Sequence, residues 1–135
     1  MQDLDPESPT LWDAFRKKHV KATPEEWVRQ DALRRFVLDA GYPPEAIAVE
    51  RGIEVLGLQK RFDAAIFHQG NLWMLVECKA PSVPLSEAVV DQWMRYNLST
   101  QAPWGALTNG KQWHIFHAHS LKSTAVLPAF GTFVL

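Results

Sequence analysis

The run Leu72-Trp73-Met74-Leu75-Val76-Glu77-Cys78-Lys79 is almost wholly apolar until two charges appear at its C-terminal end. A stretch this short and this apolar reads as a central strand covered on both faces. Side chains alternate along a strand, so Glu77 and Lys79 share one face and Cys78 takes the other. A second strand-like run, Arg61-Phe62-Asp63-Ala64-Ala65-Ile66-Phe67, precedes it, and His68-Gln69-Gly70-Asn71 between them has a tight-turn composition. With the turn centred on Gly70, Asp63 falls opposite Glu77. Directly opposed residues have Cβ atoms roughly 4.5 to 5.5 Å apart. Two carboxylates and an ammonium then share one patch of sheet.

Like charges set opposite one another destabilise a sheet, and buried ions persist only when paired or bound to a metal. One resolution is a cross-strand salt bridge of Lys79 with Asp63 and Glu77 on a solvated edge. The other is a divalent cation: two carboxylates, a backbone carbonyl and waters make an oxygen site suited to Mg2+ or Mn2+. Lys79 then stands beside an attacking water or a developing phosphorane charge. The apolar surroundings argue against a solvated edge. Removing Asp63 should relieve repulsion, so the metal-free fold of Asp63→Ala is expected to be no less stable.

Thr23 is placed to cap a first helix, with Pro24 at its first position and Glu26 completing a capping box. Val28, Ala32, Leu33, Phe36, Val37 and Ala40 follow at helical spacing, and Gly41 stops the helix. Strands are expected near 46–54, 60–68 and 72–79, and a second helix over 86–98. On that helix Ala88, Gln92 and Tyr96 share a face with Val89 and Trp93 beside them, a face expected to cover the sheet. Strands near 104–108 and 112–118 flank Asn109-Gly110, read as a type I′ turn, and an edge strand is expected over 124–135. Residues 1–22 read as an N-terminal arm with a short helical turn at 11–15, and 23–135 as a single α/β domain.

With 135 residues the chain is long enough for a proper core, and 47% apolar content with six tryptophans excludes a disordered chain. A net charge of −1 supplies no global field for a polyanion. Nucleic-acid contacts must come from local patches at 16–21, Arg34-Arg35 and Lys60-Arg61. The one cysteine, Cys78, excludes an internal disulfide framework and reads as a buried, inert thiol. Neither a signal peptide nor a membrane-length apolar run is visible, so no membrane association and a cytoplasmic location are expected. His68, His114, His117 and His119 read as surface strand residues, since no cysteine or carboxylate joins them at zinc spacing.

The blocks Thr23-Pro24-Glu25-Glu26-Trp27-Val28-Arg29-Gln30, Lys60-Arg61-Phe62-Asp63, Val76-Glu77-Cys78-Lys79-Ala80-Pro81-Ser82, Asp91-Gln92-Trp93-Met94-Arg95-Tyr96-Asn97 and Thr108-Asn109-Gly110 occur in one order. Together the chain resembles the PD-(D/E)xK nuclease superfamily. More narrowly it resembles small bacterial proteins related to the nuclease domain at the N-terminus of type I restriction enzyme R subunits. Phe62 stands where a proline often precedes the first acidic residue. The resemblance implies a restriction-endonuclease-like αβββαβ core, a mixed central sheet flanked by helices. It implies magnesium- or manganese-dependent hydrolysis of DNA phosphodiesters in a restriction or DNA-processing context. Asp63 and Glu77 would hold the metal with the Cys78 backbone carbonyl, and Lys79 would position the nucleophilic water. Gln92-x-x-x-Tyr96 is similar to a motif of the RecB-like branch that lies near the catalytic lysine and substrate, and Arg61 would contact phosphate. A first-helix glutamate reaches the metal in many members, which gives Glu26 a second reading beside its cap. A homodimer or a helicase- or translocase-type partner is the expected source of any sequence specificity. The rival expectation is a non-catalytic module that keeps the fold to bind nucleic acid or a protein.

Overall fold

The computed structural model describes residues 9–55, 58–118 and 123–133. A ribbon of β1 (Thr10–Asp13) and β2 (Lys18–Lys21) leads into α1 (Pro24–Arg34). Three strands follow, β3 (Ile47–Val55), β4 (Leu58–His68) and β5 (Asn71–Cys78). Then come α2 (Glu87–Thr100), β6 (Trp104–Thr108), β7 (Trp113–His117) and the short β8 (Ser123–Thr124). The last six strands form one mixed sheet in chain order, with β5 and β6 parallel and the other neighbours antiparallel. α2 is the crossover that the parallel pair requires. The protein is thus an α/β sheet protein with the expected order of helix, three strands, helix and strands.

Thr23 caps α1, its hydroxyl accepting the Glu26 N–H at 3.1 Å, and Pro24 supplies the first helical position. The helix continues into one π-wound turn, Arg35–Asp39, where Ala40 N–H donates to the Arg35 carbonyl. Gly41, at φ 71°, then turns the chain out. Val28, Ala32, Leu33 and Phe36 bury against one sheet face with Ala64, Ile66, Met74, Val76 and Cys78. The other face, with Ala65, Leu75, Leu107 and Phe116, packs on Trp93 of α2.

The inward stripe of α2 differs from the expected one by one position. Ala88 and Gln92 are exposed, whereas Trp93 and Asn97 are buried and Val89 is half-buried. The indole of Trp93 dominates the choice of face, since it buries more apolar area than any alternative. Tyr96 lies at the boundary, edge-on to Phe62 at 6.2 Å. Asn97 is the buried polar group of the stripe, and it is satisfied. It donates to the Ala102 carbonyl at 2.9 Å and accepts the Ala102 N–H and Thr100 hydroxyl at 2.8 Å each.

Local backbone chemistry accounts for the other departures. The 11–15 segment is strand and turn rather than helix, because buried Asp13 accepts the N–H groups of Phe15 and Arg16 and folds the ribbon's turn. The β4–β5 turn is Gln69–Gly70, both at positive φ, one residue earlier than a turn centred on Gly70. Trp73 is an extra residue in β5, and this bulge restores the Ala64–Val76 and Ala65–Leu75 pairs that the expected register implies. Asn109–Gly110 is not a two-residue type I′ turn, since only Gly110 has positive φ. Asn109 instead accepts the Lys111 and Gln112 N–H groups and donates to the Val83 carbonyl at 2.9 Å. Beyond β8 the chain over the described residues 125–133 is not strand. Pro128 and Gly131 break it, and the indoles of Trp73 and Trp104 hold it by donating to the Thr132 carbonyl. His117 is buried against Trp104 rather than exposed, His114 meets the Ser123 hydroxyl, His68 packs on Phe130, and His119 lies outside the described residues.

Among the described residues no helix is long and apolar enough to cross a membrane. Gly105 leaves room on β6 for the indole of Trp93 and the ring of Phe116. A Cβ there would stand 2.5 Å from Trp93 and 2.8 Å from Phe116. Gly105→Ala is therefore expected to cost about 1–3 kcal/mol in equilibrium urea denaturation. An unchanged midpoint would mean that Trp93 does not press on β6.

Candidate active site

The sheet opens at Asp63. On one side, β3 pairs Val49 with Ala64 and Arg51 with Phe62, skipping Glu50, whose φ is 55°. On the other, the β4–β5 ladder runs from the turn to Ala64–Val76. One step further the Asp63 side chain takes the place of backbone, and Oδ2 accepts the Cys78 N–H at 2.7 Å. Face alternation breaks here too, because Phe62 and Ala65 both pack toward α2. The neighbouring Lys79 N–H donates to the Thr108 carbonyl of β6. N–H and C=O of one extended residue project to the same side, so the Cys78 carbonyl is directed away from β6 and toward Asp63.

The second oxygen of Asp63, Oδ1, accepts Arg29 Nη2 at 2.7 Å, and both residues are only 8% exposed. Arg29 sits one position off the apolar stripe of α1, which carries its guanidinium to the sheet opening. Its Nη1 reaches Glu26 Oε1 at 3.1 Å and Glu50 Oε1 at 3.2 Å. Arg16, from the ribbon turn, joins the same carboxylates at 2.7 and 3.2 Å and also pairs with Asp13. Glu26 thus spends its side chain on Arg16, Arg29 and Gln30, and only the Thr23 half of the expected capping box forms.

These contacts shift proton affinities. Burial works against the Asp13 and Glu50 carboxylates, but the guanidinium of Arg16, joined at Glu50 by Arg29, outweighs it and holds both below the usual range. Burial also works against the Arg29 charge, yet its hydrogen bond to Asp63 leaves it bound more firmly to its proton than a free arginine. Glu25, on the rim, is pushed up by burial and by the nearby Asp63 charge. The Cys78 thiol is raised well above its ordinary value, first by burial and then by Asp63, in keeping with an inert thiol.

Glu77 is buried and Lys79 half-buried, with Nζ 3.8 Å from Glu77 Oε2. Both line a crevice against Gln92, Trp93 and Tyr96 of α2. Gln92 donates to the Tyr96 hydroxyl at 3.2 Å from an exposed position. The structure therefore brings Asp63 to the Cys78 N–H and to Arg29 of α1, and sets Glu77 and Lys79 against Gln92 and Tyr96 of α2. Glu26 connects to Asp63 through Arg29. Arg61 stands apart, exposed, 3.8 Å from Glu50. Arg29, Arg16, Asp13 and Glu50 are the residues that sequence reasoning missed. A charge beside an inward helical stripe, three residues after Glu26, was a signal for Arg29; the strained backbone at Glu50 has none.

Among the described residues, no three His, Cys, Asp or Glu side chains converge as a ready ligand cluster. The oxygen donors present nevertheless suit a hard cation. Each Asp63 oxygen makes one hydrogen bond and keeps further acceptor capacity, and the Cys78 carbonyl is directed to the same opening.

A family model described as type I restriction enzyme R protein N terminus (HSDR_N) matches residues 24–128. No curated protein matches the chain.

Asp63 ties together an arginine and a peptide N–H, so the like-charge argument fails for the metal-free protein. In EDTA, Asp63→Ala should lose about 3 kcal/mol, the cost of stranding a buried partner, and Arg29→Met a similar amount. Their combination should cost less than the two added together. Urea denaturation decides this, and an Asp63→Ala protein as stable as the parent would refute the pair. Asp13 and Glu50, with lowered folded pKa values, contribute stability that is fully present above about pH 4.5 and lost as pH falls through those lowered values. Asp13→Asn should accordingly flatten the acid limb of a stability–pH curve.

Proposed function

The chain belongs to the family of type I restriction enzyme R protein N termini, and from this we propose that it is a PD-(D/E)xK nuclease domain hydrolysing DNA phosphodiesters with Mg2+ or Mn2+. The observation that carries the reading is the opening of the sheet at Asp63. There a buried carboxylate holds the N–H of Cys78, the residue between Glu77 and Lys79. Strands rarely give up ladder bonds to a buried acid unless the opening is used.

Asp63, Glu77 and the Cys78 carbonyl would hold the cation, whose chemistry is to lower the pKa of water and to offset phosphate charge. Lys79 projects from the strand end on the Glu77 side. Its ammonium can hold a water by hydrogen bonding and offset negative charge on a phosphate oxygen. Arg29 fixes the orientation of Asp63, and Glu26 and Glu50 fix Arg29. Gln92, exposed beside Lys79, is free to donate its second amide hydrogen to a phosphate. Arg61 is too exposed to orient a substrate by itself and serves as a peripheral phosphate contact. Family context points to restriction of DNA within a multisubunit assembly, where a translocase-type subunit or a second copy supplies targeting.

The test is cleavage of duplex, single-stranded, branched and RNA substrates by the purified chain with Mg2+ or Mn2+. DNA should be nicked or degraded, and EDTA should abolish the activity. Lys79→Ala should lose at least about a hundredfold in rate while retaining metal by calorimetry, whereas Asp63→Ala should lose both. No cleavage of any substrate in either metal would instead favour the non-catalytic binding module.

A further inference from the structure

We infer that the β1–β2 ribbon is a docking platform for single-stranded DNA, an inference that deepens the nuclease reading and rests on it only for the cleavage of the bound strand. Directly opposed residues of an antiparallel ribbon share a face. The register pairs Thr10 with Lys21 and Trp12 with His19, so these four form one face, and all four are exposed. Asp13 and Val20, on the opposite face, are buried. The sequence has six tryptophans, four of them in or against the two packed cores, while Trp12 on the ribbon and Trp27 on α1 stay 55% and 57% exposed. Its ring meets His19 edge-to-face, centroids 5.2 Å apart. A tryptophan steadied at its edge by a neighbour keeps ring surface available for a base.

Charge points to the same ligand. Lys21 shares the ring's face, and Lys17 and Lys18 are exposed at the ribbon's turn, Lys18 on the Asp13 side, while the ribbon's acid, Asp13, is buried and paired with Arg16. The patch is therefore locally positive in a chain of net charge −1. It also leads somewhere. Lys18 and Lys21 line a cleft of about 340 Å³ with Arg16, Arg29 and three glutamates, of which the arginines pair Glu26 and Glu50, and Arg29 holds Asp63. A strand lying on the ribbon thus borders a cleft whose Arg29 wall holds Asp63. Duplex DNA keeps its base faces stacked on one another and offers Trp12 nothing to stack on, whereas a single strand offers both bases and phosphates.

Fluorescence anisotropy of the full chain in EDTA tests the platform without cleavage, using labelled oligothymidylate, oligouridylate and a blunt duplex of equal length. Oligothymidylate should bind most tightly. Trp12→Ala should weaken it about tenfold, and Trp12→Phe should recover most of the loss. Lys18→Gln with Lys21→Gln should weaken binding and shallow its salt dependence. Circular dichroism melting shows whether Trp12→Ala remains folded, and Trp12→Phe decides the question if it does not. Parent-like binding by Trp12→Ala, tighter binding of duplex or oligouridylate, or no binding at all would each overturn the platform. The nuclease reading fails separately. Trp12-dependent binding without metal-dependent cleavage would leave the platform and remove the enzyme; cleavage with Trp12-independent binding would do the reverse.

Discussion

The contact on which the site depends is the Arg29–Asp63 pair at the sheet opening, 2.7 Å long and buried on both sides. Two acids near one strand end are costly without a cation. In the metal-free protein the guanidinium is that cation, brought from α1 rather than from solvent. Its placement needs the helix face fixed by Val28, Ala32 and Leu33, and it needs Glu26 and Glu50 to hold its other nitrogen. Arg16 closes the frame from the ribbon. Helix, sheet and ribbon meet through these charges, so electrostatics at one point sets how three elements dock.

That frame also explains two oddities. Glu50 adopts a left-handed backbone without being glycine, at a cost of order 1 kcal/mol or more. In return its carboxylate meets both arginines instead of taking its place in the β3–β4 ladder. Arg29 Nε, meanwhile, is buried with no partner among the described residues. A frame selected for stability alone would satisfy every donor or replace the ions by apolar groups. One left unsatisfied at a sheet opening is the imbalance expected where function constrains the charges.

Much of this was legible in the sequence because it rests on short-range rules. Thr23-Pro24 marks a helix start, alternation about Glu77 and Lys79 marks their shared face, and apolar runs mark the central strands. The β4–β5 register was also within reach as far as Ala64–Val76, although pairing beside the turn is one residue off and a bulge at Trp73 corrects it. What was hidden is long-range or rotational. Gln92 shifts outward because Trp93 takes the core, a choice decided by packing volume rather than by the spacing of polar residues. The Asp13 turn is a local signal left unread, whereas the left-handed backbone of Glu50 answers to Arg16 and Arg29, distant in the chain. Local propensity carries no information about those partners.

The hidden part bears most on the chemistry. Sequence reasoning saw a repulsion between Asp63 and Glu77 and assigned its relief to a metal. In the fold, Arg29 and the Cys78 N–H already relieve part of it, which lets the protein keep its site assembled before any cation arrives. A divalent ion entering the opening would then add positive charge beside a guanidinium already there. Its affinity would reflect the attraction of Asp63 and Glu77 less the repulsion of Arg29. The same residue that steadies Asp63 would therefore limit how tightly such an ion is held. An arrangement of this kind favours an ion bound weakly enough to be completed by further anionic ligands, and a DNA phosphate is the anion that the proposed chemistry supplies.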